Sequence, residues 1–107
     1  GRVGVPAEAA GAASAWGIYT VTLRDAAQRA AVQAAMGAAG VPSAIYYPRP
    51  LHHQPVYAAH HAGSLAGGPP PLPVSESLCE RVLSLPMHGY LDEAAATRVC
   101  DAVLAGV

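Results

Sequence analysis

The chain contains no lysine; all six of its basic residues are arginine. Without a side-chain primary amine, the chemistry that these 107 residues can carry by themselves is limited. Phenylalanine is also absent and tryptophan occurs once, so five tyrosines supply nearly all the aromatic surface. Charge is sparse: 12% of residues are ionised and the net charge is −1. That balance offers nothing to attract nucleic acid or an anionic membrane. Two cysteines, Cys79 and Cys100, are too few for a disulfide framework and read as free thiols. No apolar run approaches the ~18 residues of a membrane-crossing helix, and the first residues lack the basic and apolar regions of a signal peptide. The expected location, by elimination, is the cytoplasm. A glycine-rich phosphate loop, Gly-x-Ser-x-Gly and His-Glu-x-x-His are all missing.

What is present is mostly small. Apolar residues reach 52%, but 24 of the 107 residues are alanine, which buries little surface. At this length the chain is one domain with a light core. A light core and few surface charges together predict a domain that rests against a partner surface.

The order of elements is legible from caps and breakers. The Gly/Ala-rich stretch from Gly1 to Ser14 reads as a loop or leader, ending near residue 15 ahead of a domain over 16–107. Trp16 to Leu23 alternates as a strand, with Tyr19, Val21 and Leu23 on one face. Asp25 is a helix N-cap with Gln28 as its capping-box partner. The helix runs to about Ala39, stops at Gly40, and places Val32 and Met36 on one face. Ser43 to Tyr47 reads as a second strand between Pro42 and Pro48. A long loop, Ala58 to Val74, precedes a short helix capped by Ser75 and ending near Arg81. Val82 to Leu85 is a third strand, closed by Pro86. Asp92 caps a last helix to about Leu104, with Ala96, Val99, Cys100 and Val103 inward. The expected fold is α+β: a small three-stranded sheet with helices packed mainly on one face.

One segment concentrates functional groups. Between Ile45 and Tyr57 lie three tyrosines, two histidines, Arg49 and Gln54. Polar and aromatic groups at a strand end commonly build a binding wall, although the same aromatics can instead pack a core. In a regular strand Tyr46 and Tyr47 point to opposite faces, so one of them faces outward. Pro50 and Pro55 restrict the backbone around His52 and Gln54. His52-His53 and His60-His61 also raise a metal site. Against it, adjacent histidines diverge and no acid or thiol lies within the segment, so no metal ligand is assigned, and His60 and His61 read as exposed loop residues. Pro69-Pro70-Pro71-Leu72-Pro73 fits either a polyproline ligand of a protein-interaction module or a stiff connector into the next helix.

Arg24-Asp25 opening a helix, then Ala39 to Pro48, Pro50-Leu51-His52-His53-Gln54-Pro55-Val56-Tyr57, Leu72-Pro73-Val74-Ser75-Glu76, and Val82-Leu83-Ser84-Leu85-Pro86-Met87-His88 occur in this order. That series resembles the C-terminal small domain of the pyridoxal-phosphate-dependent nucleotide-sugar aminotransferases of the DegT–DnrJ type, over about Trp16 to Leu104. The resemblance implies a parent enzyme, a homodimer, that moves an amino group from glutamate to a keto carbon of a nucleotide-linked sugar. Pyridoxal phosphate serves as the electron sink there. It further implies that the cofactor's lysine belongs to a large domain outside this chain, leaving these residues inactive alone. The substrate-facing positions would be Tyr46, Tyr47, His52, Gln54 and Arg49. Tyr46 stands where many members carry histidine. The wording is closest to members acting on 3-keto UDP-sugars. A non-enzymatic interaction module using the proline run is the alternative.

Overall fold

Strand β1 (Tyr19–Thr22) and strand β2 (Val82–Leu85) pair antiparallel at the centre of the computed structural model, which describes residues 3–57 and 68–107. Their alternation separates two faces. Val21 pairs with Leu83 and Tyr19 with Leu85 on the inner face, where Val21 and Leu83 are buried. Thr20 pairs with Ser84 on the outer face, and their hydroxyls meet at 2.9 Å.

The expected third strand, Ser43–Tyr47, does not form. Only Ala44 joins the sheet, exchanging both backbone bonds with Ser84 at 3.1 and 2.7 Å. Proline at 42 and 48 removes the donors that would continue a ladder on either side. The opposite edge has a matching single bridge: Gly4 exchanges two 2.8 Å bonds with Thr22, and Val3 packs against the core. The stretch expected as a leader is therefore tied to β1 at Gly4. β1 is also shorter than expected, with Trp16 at a φ of 45° and Ile18 largely exposed.

Helix α1 (Ala26–Ala38) follows β1 because its start is fully capped. The Asp25 carboxylate accepts the Gln28 N–H at 2.8 Å, while the Gln28 side-chain carbonyl accepts the Arg24 N–H at 2.7 Å. The Arg24 guanidinium, and then the Gln28 N–H, hold the Asp25 carboxyl below its ordinary value. At the far end Gly40 takes a φ of 66°, Val41 N–H reaches Met36 O and Gly40 N–H reaches Gly37 O. This is a Schellman closure, and it buries Val41 beside Met36. Arg98 adds a 2.6 Å bond to Ala39 O.

Helix α2 (Pro73–Arg81) begins three residues earlier than expected, with Leu72 in place of Ser75 at the cap position. Ser75 is not its cap. Proline at the first helical position needs no donor there, and Glu76 accepts the Leu72 N–H at 3.0 Å. α2 runs directly into β2, and Arg29 ties it to α1 through a 2.6 Å bond to Cys79 O.

Helix α3 (Glu93–Ala105) starts from Asp92, whose carboxylate accepts the Ala95 N–H at 2.7 Å. Its buried face is Val99, Ala102 and Val103, with Ala96 half-buried. Cys100 is exposed, contrary to expectation. It sits about 100° around the helix from Val99, on the wrong side of a stripe centred between Val99 and Val103.

Val32 and Met36 from α1 and Val99 and Val103 from α3 meet Val21, Leu23 and Leu83 from the sheet and its flank in one cluster. Each such side chain contributes ~1.5–3 kcal/mol by leaving water. The architecture is α+β with a two-stranded sheet. His60, His61 and most of the expected loop Ala58–Val74 lie outside the described residues. Among the described residues no helix is long and apolar enough to cross a membrane.

Gly37 sits inside α1 with open space where a Cβ would stand. Gly37→Ala should therefore stabilise the protein by about 0.5–1 kcal/mol, measured as a shift in the urea midpoint at constant m. A destabilised variant would mean that the last turn of α1 is not helical in solution.

Candidate functional site

Beyond Ala44 the chain turns away from the ladder. Ile45 packs against the core, whereas Tyr46 and Tyr47 are 50% and 73% exposed. Their peptide bond is cis, and their rings lie 5.9 Å apart at a tilt of 59°. The expectation that they alternate across a strand fails, because no strand passes through them; both are open to solvent. Tyr46 lines a pocket of about 340 Å³ together with Ile18, Ser43, Ser84, Pro86 and Met87. The outer face of β2 thus supplies the floor and Tyr46 one side.

Arg49 is exposed and forms no ion pair among the described residues. Pro50, with extended backbone, then starts a 3₁₀ turn over Leu51–His53. Gln54 is half-buried and acts through its backbone: its N–H bonds Leu51 O, and its carbonyl accepts the Tyr57 N–H, each at 3.0 Å. This links the first turn to a second one at Pro55–Tyr57.

The histidines behave differently from one another. The His52 side chain is only 8% exposed, and its Nε2 lies 3.1 Å from Glu76 Oε1. His53 Nε2 lies 3.8 Å from the same oxygen, with 41% of its side chain exposed. The two rings are 4.2 Å apart. The Glu76 carboxyl is held below its ordinary value, first by the Leu72 N–H and next by His52. The expected objection to a cluster here does not hold, since the rings converge and the acid arrives from α2. Among the described residues no hydrogen bond or ring contact joins this group to the tyrosine pair.

The two groups have different chemical uses. Exposed tyrosines, with an exposed arginine two residues on in the chain that forms no ion pair among the described residues, suit a ligand rich in hydroxyl and phosphate oxygens. The imidazole–carboxylate set fixes the turn that follows. Glu76 and the pocket residues Ile18 and Met87 were not found from sequence. Glu76 is 24 positions from His52, and its only local signal was its place in the first turn of α2.

The match to the DegT/DnrJ/EryC1/StrS aminotransferase family extends over residues 2–104. The chain belongs to that family. One curated relative, UDP-2-acetamido-2-deoxy-3-oxo-D-glucuronate aminotransferase of Pseudomonas aeruginosa, is 41% identical over 90 residues, covering 84% of this chain and 22% of its own length. Another, UDP-N-acetyl-3-dehydro-alpha-D-glucosamine 3-aminotransferase of Acidithiobacillus ferrooxidans, is 44% identical over 75 residues, covering 70% of this chain and 18% of its own. A solved DegT/DnrJ/EryC1/StrS aminotransferase from Brucella abortus superposes with a TM-score of 0.78 at 41% identity, over 96% of this chain and 26% of that one. The chain thus spans about a quarter or less of the family members it matches.

Aminotransferases of this family generally depend on pyridoxal phosphate. The residues here do not fit that cofactor's covalent attachment, because the attachment requires a lysine amine and the chain has none.

Proposed function

We propose that this chain is the small-domain wall of a nucleotide-sugar aminotransferase active site, with Tyr46 and Tyr47 facing the sugar nucleotide. The observation that carries this is the solvent-open tyrosine pair, of which Tyr46 lines the outer-face pocket, in a chain whose family acts as aminotransferases. An interior tyrosine pair would have meant core packing. Arg49, exposed and without an ion pair among the described residues, meets a phosphate or sugar carboxylate by charge. His52 braces the wall rather than touching the substrate, since its ring is more than nine-tenths buried. Gln54 holds the two turns in register through its backbone.

On this reading the substrate is a 3-keto UDP-sugar, which the activities named for the two curated relatives support. Glutamate is the amino donor, the parent works as a homodimer, and pyridoxal phosphate, as electron sink, is anchored by a lysine outside these residues. No proton transfer is assigned to this chain; its residues bind and orient.

The test uses the full-length protein that carries this sequence, assayed with glutamate and a 3-keto UDP-hexose. Tyr47→Phe should raise KM for the sugar nucleotide by about 10- to 100-fold, the loss of one hydrogen bond to a charged group, and leave kcat nearly unchanged. Unchanged KM in both Tyr47→Phe and Tyr46→Phe would remove the tyrosine pair from the site. Amination by the 107-residue chain alone would overturn the reading as a whole.

A further inference from the structure

The His52–His53–Glu76 group does more than the wall requires. One imidazole is enough to hydrogen-bond the carboxylate, yet two rings aim their Nε2 atoms at the same oxygen, at 3.1 and 3.8 Å. The three ligating atoms fall within 4.8 Å of one another. We propose that His52, His53 and Glu76 form a binding site for a zinc-class divalent cation that clips the 3₁₀ turn Leu51–His53 to helix α2.

The donor chemistry suits that ion. Two neutral imidazoles and one carboxylate are a common three-ligand zinc set, with water in the fourth position. Bonds of about 2.0–2.2 Å in a tetrahedron place ligand atoms roughly 3.3 Å apart. The two nitrogen–oxygen distances already bracket that value, so the site closes with small side-chain movements. A carboxylate oxygen has two lone pairs. The Leu72 N–H takes one on Oε1 at 3.0 Å and orients the group, leaving the other for the ion. His52 is fixed by burial, while His53 and Glu76 are partly exposed and leave a path for the hydrated cation. A hard cation such as magnesium would find only one oxygen donor here, which favours a borderline metal.

The consequence is mechanical. The ion would join two segments whose connection through the chain runs from residue 54 to residue 72, fixing the turn that follows the tyrosine pair to the helix that leads into β2. It takes no part in amino transfer, so it stands or falls separately from the proposed substrate.

The experiment is calorimetric titration of zinc chloride into the tag-free, chelator-stripped 107-residue chain. One equivalent should bind, and cobalt in its place should give the intense visible bands of a four-coordinate ion. His53→Ala and Glu76→Gln should each weaken binding by at least about tenfold, with circular dichroism unchanged. These two partly exposed positions keep the test valid even if His52→Ala fails to fold. A His60→Ala/His61→Ala double variant and His88→Ala should bind as the parent does. Absence of binding, or binding lost with His60 and His61 or with His88 but kept in Glu76→Gln and His53→Ala, overturns the proposal.

Discussion

Leu83→Ala will unfold a large part of this protein's stability margin, about 2–5 kcal/mol. Leu83 is fully buried on the inner face of β2, opposite Val21 and in one cluster with Leu23, Val32 and Met36. The size of the loss follows from what cannot move in. The helices facing this position contribute chiefly valine, alanine and one methionine, and valine has a stiff χ1. Only Met36 is flexible enough to relax toward the void, and it is already fully buried. A domain of this size has about 5–15 kcal/mol in total, so the variant should be visibly destabilised. Urea unfolding is the measurement. Val82→Ala is the comparison: Val82 lies one residue away, on the opposite face, half-buried. Equal losses for Leu83→Ala and Val82→Ala would mean that the sheet does not have one dry face.

The parts of the fold that sequence made legible are those whose signals are local. Asp25 with Gln28, Gly40 with Val41, and Asp92 each fix a helix end through bonds spanning three to five residues, and the structure contains all of them. Val32 and Met36 fall on one face because four residues nearly complete a helical turn. Where the deciding partner is remote, the reading fails. Ala44-Ile45-Tyr46-Tyr47 has strand propensity, but a strand exists only where a neighbour offers bonds, and Ser84 offers them to Ala44 alone. Ser75 looks like a cap, but Pro73 can start the helix earlier because it has no donor to satisfy. Cys100 belongs to an apolar stripe by composition and is displaced from it by the helical phase that Val99 and Val103 set.

The candidate site divides along the same line. Its tyrosines were visible as a cluster between prolines, and the family resemblance carried by those motifs holds. Their exposure was not visible, since the alternation argument presumed a strand. The relation of His52 to Glu76 was hidden for a different reason. Divergence of adjacent side chains is a rule for extended backbone. In a 3₁₀ turn that rises only about 2 Å per residue, two long rings can swing to one side. Here they do, and the acid that meets them comes from the far side of a long connection.

Gly106→Ala is the second large effect, expected at ~1–3 kcal/mol or more. It tests how α3 seats on α1. A Cβ built at Gly106 would stand 2.5 Å from Val32 Cα, 2.8 Å from Val32 N and 2.9 Å from Ala31 O. All three are backbone atoms, so no rotamer change relieves the contact, and one helix must shift against the other. Val32 is fully buried, and Val103, one turn before Gly106, is packed in the same cluster, so the shift opens the inner face of the core. Backbone strain is not involved: Gly106 has a φ of −99°, which any residue adopts. Gly40→Ala supplies the contrast. Its φ of 66° costs about 1–2 kcal/mol in the left-handed region, but its new Cβ meets only the Arg98 guanidinium at 3.4 Å, the mobile end of a long side chain. The two variants separate on a second substitution. Gly40→Asn should recover stability relative to Gly40→Ala because asparagine tolerates that φ, whereas Gly106→Asn should be no better than Gly106→Ala. Recovery at position 106 would mean that the conformation there is left-handed in solution and that the two helices are not in backbone contact.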